Sequence, residues 1–108
     1  MYEQSAPIGT LIDGSPTPPF SGQPLVSRKG AKVVEATVTG TGAVTATVEI
    51  YGNTRNNNTD GILLATITLS GTAPQRDGFA FDAGWPFVYA RVTALTGTGA
   101  AVTADMAV

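Results

Sequence analysis

The five-residue string Thr-Gly-Thr-Gly-Ala occurs twice in this chain, at residues 39–43 and again at residues 96–100. Each copy lies between segments in which small apolar residues alternate with threonine. Alternation with a period of two is typical of strands that bury one face, and Gly-rich strings between such strands are typical of tight connections. The repeat therefore predicts two related β-hairpins, each turning at one copy of the string.

From residue 32 onward the same alternation predicts an all-β, antiparallel domain. Strands bounded by turns recur about every 10–20 residues, as in a β-sandwich or jelly roll, and no segment has helical spacing. Residues 52–61 and 70–78 are predicted loops. The residues predicted to face the core are Val34, Ala36, Val38, Val44, Ala46, Val48, Ile50, Leu63, Ala65, Ile67, Leu69, Val88, Ala90, Val92, Ala94, Val102, Ala104, Met106 and Val108.

Residues 1–31 differ from the rest, because they hold five of the seven prolines. Proline lacks the amide donor of a ladder and fixes φ, which excludes a central strand or a helix. We therefore predict an extended N-terminal arm over residues 1–31, followed by a β-sandwich domain over residues 32–108. A disordered tail is the alternative. The apolar residues of the arm suggest that it binds grooves of a neighbouring subunit, with Ile8, Leu11, Ile12, Phe20 and Leu25 as anchors.

The chain contains no histidine and no cysteine. This excludes Ser-His-Asp triads, cysteine nucleophiles and the usual zinc sites. A carboxylate hydrolase is an alternative, but its candidate acids stand in no motif. We therefore expect that the protein is not an enzyme and that it has no cofactor and no metal site. Residues 56–61 imitate the start of a calcium loop, yet the position that needs a bidentate glutamate is Ile67. The candidate acids are Glu35, Glu49, Asp60, Asp77 and Asp82.

The charge balance gives no sign of a nucleic-acid or membrane partner. Six Lys and Arg face eight Asp and Glu, for a formal net charge of −2. The one basic concentration, Arg28, Lys29 and Lys32, is too short for a phosphate-binding surface, and we predict a solvated strand entry or a contact to an acidic neighbour. No run approaches the ~20 apolar residues of a membrane span, and the start of the chain lacks the features of a signal peptide. Without disulfides or zinc, a small domain is often stabilised by oligomerisation.

Five aromatic residues lie within residues 79–89. The three phenylalanines among them are predicted to fill the core. For Trp85 and Tyr89 the sequence leaves two interpretations open, a place in the core or a place at an interface. An exposed Trp-Tyr platform stacks on sugar rings or forms a hot spot for a protein partner.

Three segments, residues 35–43, 48–53 and 78–108 with its Trp85-Pro86-Phe87-Val88, resemble small β-sandwich structural proteins of tailed bacteriophages, of the capsid decoration (cement) type. The resemblance covers residues 33–108 and not the arm. It implies a virion structural protein without catalytic or metal-binding residues. It also implies a homotrimer that binds the major capsid protein on the outer surface of the capsid, assembled in the host cytoplasm.

The alternative is a component of the tail, fibre or neck that carries a glycan- or protein-binding β-sandwich module. A glycan partner is expected only under this alternative. Solvent exposure of Trp85 and Tyr89 in one groove would favour it.

Overall fold

The computed structural model describes residues 8–14, 17–27, 30–82 and 84–107. These residues form seven antiparallel strands of one sheet. In this part of the chain there is no helix that could cross a membrane. The strands are β1 (Ile8–Gly14), β2 (Phe20–Ser21), β3 (Leu25–Val26), β4 (Ala31–Asn53), β5 (Ile62–Thr72), β6 (Gln75–Asp82) and β7 (Phe87–Ala107).

The two long strands β4 and β7 lie next to each other at the centre of the sheet. They pair along almost their whole length, and the two Thr-Gly-Thr-Gly-Ala strings lie opposite each other in the middle, with Thr41 facing Thr98. The predicted hairpins are therefore wrong, because neither strand reverses direction at its string. Gly42 and Gly99 have φ of +71° and +62°, and the register shifts on both sides of Thr41. Glycines at positive φ form β-bulges that bend a continuous strand as well as turns that end one.

The bend divides the sheet into two halves, each four strands wide. On one side β6 pairs with the first part of β4 and β1 with the last part of β7. On the other side β5 pairs with the second part of β4, and β2 and β3 pair with the start of β7. Both halves contribute to a single core, which consists of Leu11, Ile12, Val34, Ala36, Val38, Val44, Ala46, Val48, Ile50, Ile67, Leu69, Val88, Ala90, Val92, Ala100, Val102, Ala104 and Met106.

The N-terminal segment is part of this domain wherever the structure describes it, which corrects the prediction of a free arm. β1 pairs with β7 of its own chain, with Ile8 opposite Ala107, and both Leu11 and Ile12 are buried in the core. Phe20 and Leu25 pack against the same core. The prolines do not prevent this, because Pro18, Pro19 and Pro24 lie in the breaks between short strands. Residues 1–7, 15, 16, 28 and 29 lie outside the described part.

Local bulges overturn two predicted side-chain directions. Leu63 is exposed, because the register shifts beside it and turns its side chain to the outer face. A second shift, at Thr93, turns Ala94 outward and lets Leu95 pack against the core. A strict period of two cannot be carried across a bulge, since the extra residue inverts every later side chain. Val108, also predicted to face the core, lies outside the described residues.

Two further expectations fail. The predicted loop over residues 70–78 is mostly strand, since β5 continues to Thr72 and β6 begins at Gln75. Lys32, predicted to be solvated, is only 1% exposed, and its Nζ donates a hydrogen bond to the Gly30 carbonyl at 3.0 Å. The alternation that buries Val34 also turns Lys32 inward, at the end of the core.

Candidate partner-binding surface

A pair of tyrosines lies near the end of the half-sheet that contains β5. Tyr51 of β4 and Tyr89 of β7 are directly opposite, and their rings stack with centroids 5.1 Å apart and an angle of 9° between planes. The Tyr51 hydroxyl donates a hydrogen bond to Glu49 Oε1 at 2.5 Å. This hydrogen bond, with burial and the charge of Glu49, raises the pKa of Tyr51 above its ordinary value. Tyr51 is thereby held as a neutral donor.

The polar loop over residues 53–61 covers the side chain of Tyr89. The Gly61 amide donates to the Tyr89 hydroxyl at 3.0 Å, and a Cβ added to Gly61 would lie 2.8 Å from the tyrosine ring. Asn58 reaches across the sheet and donates from Nδ2 to the Gly22 carbonyl at 2.8 Å. Tyr89 is left only 2% exposed. Its aromatic face is therefore not available to a ligand.

The same loop is organised around the buried side chain of Asn53. Its Nδ2 donates to Asp60 Oδ1 at 2.9 Å and to Asn57 Oδ1 at 2.8 Å, while its Oδ1 accepts from the Arg55 amide at 3.0 Å. Asparagine and aspartate commonly stabilise loops in this way. Asp60, one of the positions of the imitated calcium loop, is thus bound within the loop. Among the described residues there is also no group of three acidic side chains that could hold a metal ion.

Trp85 is only partly exposed and packs against the core. Its indole ring lies directly over Gly52, so that a Cβ at Gly52 would collide with the ring. Trp85 and Tyr89, which the sequence left open between core and interface, therefore do not form an exposed stacking platform. Of the three phenylalanines, Phe79 and Phe81 pack on the core as predicted.

The candidate acids for a hydrolase are spread over the molecule. Glu35 lies on the outer face of one half-sheet, where Arg76 forms an ion pair with it at 2.6 Å. Glu49 lies in the other half and accepts from Tyr51, and Asp60 is held by Asn53. Asp77 and Asp82 belong to β6 rather than to loops. These acids do not converge on one cleft.

Exposed apolar side chains gather at the end of the sheet where the polar loop lies. Val26 is 74% exposed, Ile62 57% and Leu63 49%. Val26 pairs with Phe87, which pairs with Asn53 at the start of the loop, and Ile62 pairs with the neighbouring Gly52. We call Val26, Ile62 and Leu63 the loop-end surface. Phe87, which was predicted to fill the core, is only partly exposed. Sequence reasoning missed this surface, because the alternation assigned Leu63 to the core.

Comparisons of the chain with protein-family models, with curated proteins and with solved structures find no match.

Proposed function

We propose that this protein is a structural component of a bacteriophage virion, and specifically a capsid decoration (cement) protein that binds the major capsid protein. The observation that carries the proposal is the loop-end surface, where apolar side chains stand exposed around a loop fixed by its own hydrogen bonds. A few apolar anchors supply most of the energy of a protein interface, and a rigid surface loses little entropy on binding.

The mechanism is stabilisation by mass action. A protein that binds assembled capsomers and not free subunits favours the closed shell by the free energy of its own binding. No reacting group is needed for this role. The outer surface of the capsid, assembly in the host cytoplasm and a homotrimer are further parts of the proposal, and they derive from the resemblance of residues 33–108 to phage decoration proteins.

The fold that we propose for this role is a jelly-roll-like β-sandwich. Two half-sheets joined at a glycine bend share one core, and the molecule measures 40 × 34 × 17 Å. Two sheets that pack face to face lie about 10 Å apart, which accords with the short dimension.

We assign the contact with the partner to the loop-end surface, and not to the N-terminal anchors predicted from the sequence. Leu11 and Ile12 are buried in their own domain and cannot anchor a neighbour while β1 stays in the sheet. Val26, from the same segment, is exposed and remains available.

The glycan-binding alternative loses its support. It requires Trp85 and Tyr89 to be exposed together in one groove, and the loop over residues 53–61 covers Tyr89. No observation on the described residues favours a sugar over a protein as the partner.

Electron cryo-microscopy of phage heads with and without this protein tests the proposal. We expect density on the outer surface of the normal heads that is missing from the deficient ones. We also expect deficient heads to break open at lower temperature and to recover when purified protein is added. Density confined to the neck, tail or fibres would contradict the decoration role, as would heads of equal stability.

A further inference from the structure

The strand β5 leaves a long sheet edge without a described partner. β5 pairs with β4 on one side, and no strand among residues 8–14, 17–27, 30–82 and 84–107 pairs with its other side. Its eleven residues, Ile62–Thr72, include no charged residue and no proline. The backbone amides and carbonyls along such an edge are a template for another strand.

The other edges carry features that discourage strand pairing. β6 contains Arg76, Asp77 and Asp82, and β1 contains Asp13 and an irregular register. β2 and β3 are two residues long. Charges, bulges and short length are the common means by which proteins protect sheet edges. In β5 the register irregularity lies near its beginning, so the pairing with β4 is regular from residue 65 to 71, and Gly71 has a φ of +139°.

We propose that this edge of β5 pairs antiparallel with β5 of a second copy, around a two-fold axis at Thr68. In this register Thr66 of one copy faces Ser70 of the other on the outer face. Ile67 faces Leu69, and Ala65 faces Gly71, on the core side. Hydroxyl pairs and apolar pairs directly across two strands stabilise a sheet.

A second copy is the occupant because the segment is complementary to itself. Thr66 meets Ser70 and Ile67 meets Leu69, and no charged side chain meets its own copy across the axis. An isologous contact of this kind closes as a dimer and leaves no free copy of the edge. The same operation on β6 would place its charged residues, among them Asp77 and Arg76, along the new contact.

Sedimentation equilibrium of the purified full chain, from micromolar to millimolar concentration, tests this proposal. We expect the unmodified protein to dimerise, and we expect Thr68→Lys to weaken dimerisation about tenfold or more, because two ammonium groups would meet at the axis. Thr93→Lys, at an exposed threonine of β7, is the matched control and leaves the dimer intact. Circular dichroism verifies that each variant is folded.

Mixing the variants gives the sharpest result. Thr68→Lys and Thr68→Glu each weaken the dimer alone, and an equimolar mixture restores it, since opposite charges then meet. A monomer at every concentration overturns the proposal. So does a trimer, a dimer that Thr68→Lys leaves unchanged, or a mixture without recovery. The experiment uses no capsid, so it does not test the capsid contact, but a dimer would rule out the homotrimer that the resemblance implies.

Discussion

Tyr51 and Tyr89 occupy equivalent positions in two alternating strands, yet their environments differ. The loop over residues 53–61 closes over Tyr89, whereas the hydroxyl of Tyr51 is bound to Glu49. Glu49 is close to Tyr51 in the sequence, but the contact that buries Tyr89 comes from a loop that returns over β7. Burial of Tyr89 is therefore decided by a contact that lies far away in the sequence.

The hydrogen bond of Tyr51 predicts a specific dependence of stability on pH. The pKa of Tyr51 is raised above its ordinary value of 10.0, so the folded state favours the neutral phenol. This contribution is fully present below pH 10.0 and is lost as the pH rises through the higher pKa of the folded state. Tyr51→Phe should lower the free energy of unfolding at neutral pH by about 1 kcal/mol. It should also flatten the fall in stability at alkaline pH.

Urea unfolding of both proteins from neutral pH upward measures this difference. Glu49→Gln is the control, since it keeps an acceptor near Tyr51 but removes the charge, and should bring the tyrosine pKa closer to its ordinary value. Identical alkaline slopes for the unmodified protein and Tyr51→Phe would show that this hydroxyl does not titrate as described.

Gly52 gives a second prediction at this scale. A methyl group at this position would collide with the ring of Trp85. Gly52→Ala should displace the indole and cost about 1–3 kcal/mol, as overpacking of a core does. Trp85 is the only tryptophan of the chain, so its fluorescence reports on this site alone. We expect a red shift for Gly52→Ala and none for Thr93→Ala, and an unshifted spectrum would place the ring elsewhere.

At the scale of strands, the alternation of the sequence predicted the buried faces well wherever a strand is regular. The inward residues of β4 and of the end of β7, such as Val34, Val48 and Val102, are confirmed. The alternation gave a wrong side-chain direction at the bulge beside Leu63, which faces outward. It also predicted turns at the glycine strings, where the strands bend and continue. Such features depend on which strand lies opposite, and that information is not local.

The prediction of an extended N-terminal arm was wrong for a related reason. Its prolines correctly indicate that no long strand forms there, but three short strands still complete the edge of the sheet along β7. The loop-end surface could not be predicted either, since the pairings with β7 and β4 are what place Val26 and Leu63 at the same end of the sheet.

The position of β1 predicts that the N-terminal segment contributes to stability. Leu11 is buried in the core and Val26 is exposed, although both belong to the same segment. Leu11→Ala should lower the free energy of unfolding by about 2–5 kcal/mol, as other large-to-small core changes do. Val26→Ala should change it by less than about 0.5 kcal/mol. Chemical denaturation measures both, and equally small effects would support a free arm instead.

At the scale of the whole molecule, both half-sheets that the structure describes share one core. Most of the exposed large apolar residues in this part of the chain lie at the loop end of the sheet. Of the four exposed large apolar residues in the described part of the chain, three lie at the loop end, and Val33 lies on the outer face of the other half-sheet. A monomer with scattered apolar residues would need no explanation, but a cluster at the rim of a rigid loop indicates a contact surface. The β5 edge adjoins this end through Ile62, so the proposed self-pairing and the proposed capsid binding would use neighbouring regions.

The central claim is that the protein adheres to the capsid through the loop-end surface. The most direct test adds purified protein to heads that lack it and measures the bound amount by co-sedimentation. We expect the Val26→Thr, Leu63→Thr double variant to bind about tenfold more weakly than the unmodified protein. Val33→Thr, the same change at an exposed valine of the other half-sheet, should bind normally. Unchanged binding by the double variant, or an equal loss with Val33→Thr, would contradict the account.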